Sequence, residues 1–175
     1  MERRRQAGMK KGVFLLLHSL LLAQPCFAAE SLNLLARRGD LNDFAGMLSE
    51  AERRELGSVL ESVKKDTAIE LVIVTIPSYQ PSKSLRQYAQ ALLQAWEVGK
   101  ERGQRGVMII LAQQEKQVWV AAQPEVWAKL TEKTCDAILR DTVLPSLRKR
   151  AYARGLADGI IQIRGVLRDE ARRSR

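Results

Sequence analysis

Two stretches of the chain, Ile69–Ile76 (IELVIVTI) and Gly106–Ala112 (GVMIILA), are almost unbroken apolar runs, the pattern of strands covered on both faces. Around them apolar residues recur at helical spacing. Ser49-Glu50-Ala51-Glu52 forms a capping box, in which the serine oxygen and the glutamate carboxylate each accept a backbone N–H at a helix start. Leu56, Val59, Leu60 and Val63 follow it, which predicts an amphipathic helix over 49–66. Leu85, Tyr88, Ala89, Leu92 and Trp96 share one face of a second helix over 83–98, stopped by Gly99. Gln117–Ala122 (QVWVAA) alternates and predicts a hairpin partner across residues 113–116. Pro124 opens a helical turn, and Thr131–Leu144 predicts a helix that buries Cys135, Ile138 and Leu139 before Pro145 interrupts it. In the last helix, over 150–170, Tyr152, Leu156, Ile160, Ile163 and Leu167 form one face and Arg150, Arg154, Arg164 and Arg168 the opposite one. Strands alternating with such helices predict an α/β fold, a three-layer α/β/α sandwich with a small mixed sheet flanked by helices. It occupies one domain over 41–170, after a flexible lead-in at 30–40 and before a basic tail at 171–175.

The start of the chain has a different character. Arg3, Arg4, Arg5, Lys10 and Lys11 precede an apolar run, Val13–Ala23, and small residues follow at Ala28 and Ala29. At 1.5 Å per residue the run reaches roughly 16 Å, about half of a bilayer core. This is the layout of a secretory signal peptide over 1–29, cleaved after Ala28 or Ala29. It predicts export to a periplasmic or other extracytoplasmic space, with membrane tethering if the leader stays uncleaved. Cys26 follows Pro25, which argues against lipidation at that cysteine.

Charge and composition narrow the chemistry. The 175 residues carry 29 Lys+Arg and 20 Asp+Glu, a formal net charge of +9, with one His and two Cys. His18 and Cys26 both precede Glu30, so the remainder holds no histidine and only Cys135. That excludes Ser-His-Asp and Cys-His catalysis, a histidine-containing zinc site and an intrachain disulfide. Cys135 falls on an apolar stripe and reads as a small core residue. From Pro145 onward nine bases face three acids, whereas residues 30–144 are nearly neutral. A one-sided basic helix suits an acidic protein partner or an anionic membrane surface. Nucleic acid is not expected, because export and the scarcity of aromatics beside the arginines both argue against it. No phosphate-binding glycine loop, nucleophile elbow, EF-hand ladder or C-x-x-C pair occurs.

The order of several segments resembles the TPM-domain family. They are L-N-D-F-A-G-M-L-S (41–49), E-L-V-I-V-T-I-P-S (70–78), S-L-R-Q-Y-A (84–89), W-E-V-G (96–99), R-G-V-M-I-I-L-A (105–112), L-T-E (130–132) and P-S-L-R-K-R-A-Y-A-R-G-L (145–156). These exported or membrane-tethered modules include a thylakoid-lumen acid phosphatase. The resemblance implies an α/β/α sandwich and a site on loops at one end of the sheet, where acidic and amide groups bind divalent cations, often calcium. Asp43 matches the family's first acidic position and is the candidate catalytic or metal-binding residue. The family's Gly-x-Asp-Asn-Gly loop is here Gly103-Gln104-Arg105-Gly106, and its Gly-Tyr-Gly-Leu-Glu stretch is Gln123-Pro124-Glu125-Val126-Trp127.

Calcium seeks six to eight oxygens, mostly carboxylate or carbonyl. A guanidinium at Arg105 repels a dication, so the expectation is that Arg105 pairs with Asp43 as a structural clip and that no metal or other cofactor is bound. The preferred reading is a non-catalytic exported module that binds a protein partner or membrane surface through Arg150, Arg154, Arg164, Arg168 and Trp127. The alternative is a weak acid phosphatase assisted by calcium, with Asp43 as its acid.

Overall fold

The computed structural model describes residues 34–67, 69–103 and 105–173. The expected signal segment at 1–29 lies outside the described residues. Four strands form one sheet in the order β1 (Leu41–Asp43), β2 (Glu70–Ile76), β3 (Gly106–Ala112) and β4 (Gln117–Ala122). β1, β2 and β3 are parallel, and β4 closes an antiparallel hairpin with β3. This is the mixed sheet of the expected sandwich. The three-residue β1 is the addition, built from a segment too short to show a period.

Alternation along the strands feeds two separate cores. Leu71, Ile73, Val107, Ile109 and Val120 point to one face, where α1 (Glu50–Thr67) and α6 (Tyr152–Arg173) pack. Val72, Val74, Ile76, Met108 and Ile110 point to the other, covered by α2 (Leu85–Ala95). Each strand supplies both layers, hence the continuous apolar runs in sequence. β1 steps to β2, and β2 to β3, in the same direction, yet α1 and α2 lie on opposite faces. The two crossovers therefore have opposite hands, and one departs from the right-handed rule.

Helix starts follow their caps. Glu52 accepts from the Ser49 N–H at 2.8 Å, and Ser49 Oγ accepts from the Glu52 N–H at 3.3 Å, the expected capping box. Ser84 accepts from the Gln87 N–H and opens α2. After α3 (Pro124–Trp127) comes α4 (Glu132–Ile138), followed by a π-helical turn at Leu139–Val143 and then α5 (Leu144–Arg148). Pro145 does not interrupt the helical path. The Leu144 N–H reaches the Leu139 carbonyl five residues back, which widens the turn ahead of the proline ring.

Residues 34–40 have no regular structure but are tied down. Leu34 and Leu35 pack against the α2 core, and Trp96 Nε1 donates to the Leu35 carbonyl at 2.7 Å. The expected flexible lead-in is thus packed from Leu34 onward. At the other end α6 continues to Arg173, so the tail expected from 171 begins as helix. Among the described residues no helix is long and apolar enough to cross a membrane.

Candidate functional site

Asp43 ends β1, opposite Thr75 of β2. Its side chain is 3% exposed. Oδ1 accepts from Thr75 Oγ1 at 2.5 Å and from the Met47 N–H at 2.9 Å. Oδ2 accepts from the Leu48 N–H at 3.1 Å and from Arg53 Nη2 at 3.1 Å and Nε at 3.3 Å. Burial pushes this carboxyl's pKa up, but the donors from Thr75, Met47, Leu48 and Arg53 outweigh it and hold the group below the ordinary carboxylate range. The arrangement pins the turn after β1 to β2 and to the first turns of α1. Both oxygens are committed to the protein's own donors.

The expected Asp43–Arg105 clip does not form. Arg105 precedes β3 at the level of Glu70, whose N–H donates to the Arg105 carbonyl at 2.9 Å. Asp43 is level with Thr75, five residues further along β2, or roughly 16 Å at strand rise. Parallel strands put all their starts at one end of the sheet and all their finishes at the other. Arg53 supplies the guanidinium instead, from one helical turn inside α1. Arg105 lines a small groove of about 180 Å³ with Thr67, Glu125 and Lys129.

The start end of the sheet holds the denser polar network. Glu70 accepts from Arg37 Nη2 at 2.5 Å and from the Gly99 N–H at 2.7 Å. Arg37 also meets Asp40 at 2.8 Å, and Lys64 meets Asp40 at 3.5 Å. These groups border an open cleft of about 540 Å³ with Trp96 and Lys100. Glu70, the lone acid in the β2 run, is the sequence signal for this end. Asp40, Glu70 and Glu97 are each matched by a cation, and among the described residues no group of three or more His, Cys, Asp or Glu is placed to hold a metal ion. The six to eight oxygens that calcium seeks are not gathered at this end among the described residues.

The last-helix arginines do not form one open stripe. Arg164 is 27% exposed and turns to α1, where it meets Ser62 at 3.0 Å and Asp66 at 3.3 Å. Arg154, at 82% exposure, points to solvent and approaches Asp158 only at 3.8 Å. Arg150 sits before α6 with φ at 60°. Arg168 is half-buried. Three neighbouring cations at the α5–α6 turn, Arg148, Lys149 and Arg150, are all exposed. Trp127 is half-buried against the α1/α6 core. Cys135 is buried, and that burial, with Asp136 and Glu132 adding like charge, pushes its thiol pKa up to about 12.

The model of the TPM domain matches residues 41–166. The chain belongs to the TPM domain family. Solved structures agree with the assignment. The N-terminal domain of a P. gingivalis protein is 26% identical with a TM-score of 0.66, over 74% of this chain and 82% of that one. The N-terminal domain of a Corynebacterium glutamicum protein is 17% identical with a TM-score of 0.59, over 75% and 85%. A protein from the psychrophilic bacterium Bizionia argentinensis is 16% identical with a TM-score of 0.62, over 70% and 82%. The last two share the fold alone. No curated protein matches the chain.

In this TPM domain the two loops that depart from the family pattern do meet. The Gln123 N–H donates to the Gly106 carbonyl at 2.9 Å, and Gln123 Nε2 donates to the Val98 carbonyl at 3.1 Å. They lie at the start end of the sheet, away from Asp43. The acidic position that matches the family and the loops that do not are therefore separate features.

Proposed function

We propose that this TPM domain is an exported, non-catalytic accessory module that docks on an anionic surface, an acidic protein or an anionic membrane. The observation that carries the reading is the exposed turn Arg148–Lys149–Arg150, extended by Arg154. Among the described residues none of the three turn cations has a carboxylate within ion-pair distance, and Arg154 has a long contact to Asp158. The saturation of Asp43 supports the same reading, since an acid held by five donors has no free lone pair for a metal and no proton to give. It weighs equally against the calcium-assisted acid phosphatase, for which Asp43 is the candidate acid. No cofactor is part of the proposal.

Each cation near an anionic membrane contributes about 1 kcal/mol, and salt screens it within about 10 Å. Reversing Arg148, Lys149, Arg150 and Arg154 to Glu is expected to reduce capture on phosphatidylserine vesicles, or on an acidic protein resin, at least tenfold at low salt. Capture that survives the reversal would remove the electrostatic reading. Hydrolysis of an aryl phosphate by purified protein, lost in Asp43→Ala, would restore the enzymatic one.

A further inference from the structure

β4 is an edge strand, and its hydrogen-bonding phase is fixed. The Gln123 N–H bonds the Gly106 carbonyl, and these residues continue the β3–β4 register. Antiparallel pairs alternate, so Gln117, Trp119 and Ala121 bond β3 while the backbone N–H and C=O of Val118 and Val120 face away from it. Val120 is buried, but the stretch from Gln117 to Trp119 is partly open. Beside that open stretch lies a groove of about 460 Å³, walled by Leu139, Arg140 and Leu144 on the π turn and α5 and by Arg86 on α2. A strand edge facing a helical wall across a groove is the geometry in which an extended peptide adds a strand. The helical wall is the irregular π segment, a feature common at binding sites.

Charge states what the occupant must carry. Three cations (Arg86, Lys116 and Arg140) and one carboxylate, Asp136, line the groove. The cations come from α2, the β3–β4 turn and the π turn, three different walls, so they are spread around the rim. A single terminal carboxylate meets only one of them, whereas acidic side chains along an extended segment meet several. Arg86 now bridges to Glu132 at 2.5 Å and lies 5.2 Å over the Trp119 ring, spanning from α2 to α4 past β4. That pair is 63% and 50% exposed, so it exchanges partners readily. Arg140 meets Asp141 in a similarly exposed pair.

We infer that the open edge of β4 at Gln117–Trp119 is a docking groove for a short, extended, acidic segment of a partner protein. The segment bonds the outward Val118 backbone, seats an apolar side chain against Leu139 and Leu144, and draws Arg86 from Glu132 onto its own carboxylate. The inference does not depend on the basic turn at 148–150.

The test is a titration of isotope-labelled protein with a blocked hexapeptide of alternating Glu and Val, followed by nuclear magnetic resonance. Protection of the Val118 amide from solvent exchange and a shift of the Trp119 indole signal are expected. A Lys/Val hexapeptide is expected to bind at least tenfold more weakly. Lys116→Glu with Arg140→Glu, both exposed and outside the core, is expected to weaken the Glu/Val peptide at least tenfold with the circular dichroism unchanged. The same peptide is expected to keep its Val118 protection when Arg148, Lys149 and Arg150 are reversed. Unchanged Val118 exchange, equal binding of the two peptides, binding that survives the double reversal, or protection of Val118 by self-association without peptide would each overturn the inference.

Discussion

Thr75 stands directly opposite Asp43 in the β1–β2 register and donates its hydroxyl hydrogen to Asp43 Oδ1 at 2.5 Å. Thr75 is 1% exposed, so the pair joins two strands inside the fold. Its neighbours, the Met47 and Leu48 amides and the Arg53 guanidinium, make the carboxylate a hub for the entry to α1. Removing that hub leaves several donors without partners. Asp43→Ala is therefore expected to destabilise the protein by about 3 kcal/mol, read as a lower urea midpoint with an unchanged slope. A loss below about 0.5 kcal/mol would show that the hub is dispensable.

The same carboxylate sets an acid dependence. Its folded pKa lies below the unfolded value of about 3.9. Its stabilisation is complete above about pH 4 and is lost as pH falls toward the folded pKa. The stability advantage of the natural chain over Asp43→Asn is thus expected to be full at pH 6 and smaller at pH 3. Urea midpoints of both chains at the two pH values check this, and a gap that widens on acidification contradicts it.

Gly99 and Gly106 bring two backbone segments into contact. A Cβ on Gly106 would fall 2.1 Å from the Val98 carbonyl oxygen, and one on Gly99 would fall 2.1 Å from the Gly106 nitrogen. Neither obstacle is a mobile side chain. Gly106→Ala is expected to cost more than about 3 kcal/mol, with loss of the cooperative thermal transition as the readout. Gly57, whose Cβ would meet nothing within 4 Å, sits in α1 and is the control. There alanine is expected to stabilise by about 1 kcal/mol.

Cys135 is expected to be inert in the native state. A thiol whose pKa is pushed to about 12 is almost wholly protonated at pH 8, and only the thiolate attacks. In a Cys26→Ser background, a disulfide reagent at pH 8 should label no thiol promptly in buffer and one thiol in denaturant. Prompt labelling in buffer would place Cys135 in an open environment.

The sandwich was legible because strong local signals coincide with long elements. The capping box, the two apolar runs and the hairpin alternation lie where the structure puts them, and the ends of α1, α2 and α6 fall within three residues of expectation. β1 was not legible, since Leu41-Asn42-Asp43 is shorter than one alternation cycle and exists only through its pairing with β2. The continued helix past Pro145 depends on a π turn and on two α6 glycines, Gly155 and Gly159, that sit close to Ser146 and Val143. No local pattern announces that packing. The site was harder still. Nothing local in the sequence shows that strand direction sends Asp43 and Arg105 to opposite ends of the sheet. The arginines of α6 follow a helical wheel that does not show which side meets α1, and Arg164 is consumed there by Asp66.

β1 gives the sheet a border only three residues wide. So few free amides offer no template to a foreign chain, and ribbon-like stacking of copies has no foothold on that flank. Any growth of the sheet, whether useful or pathological, must begin from the hairpin side.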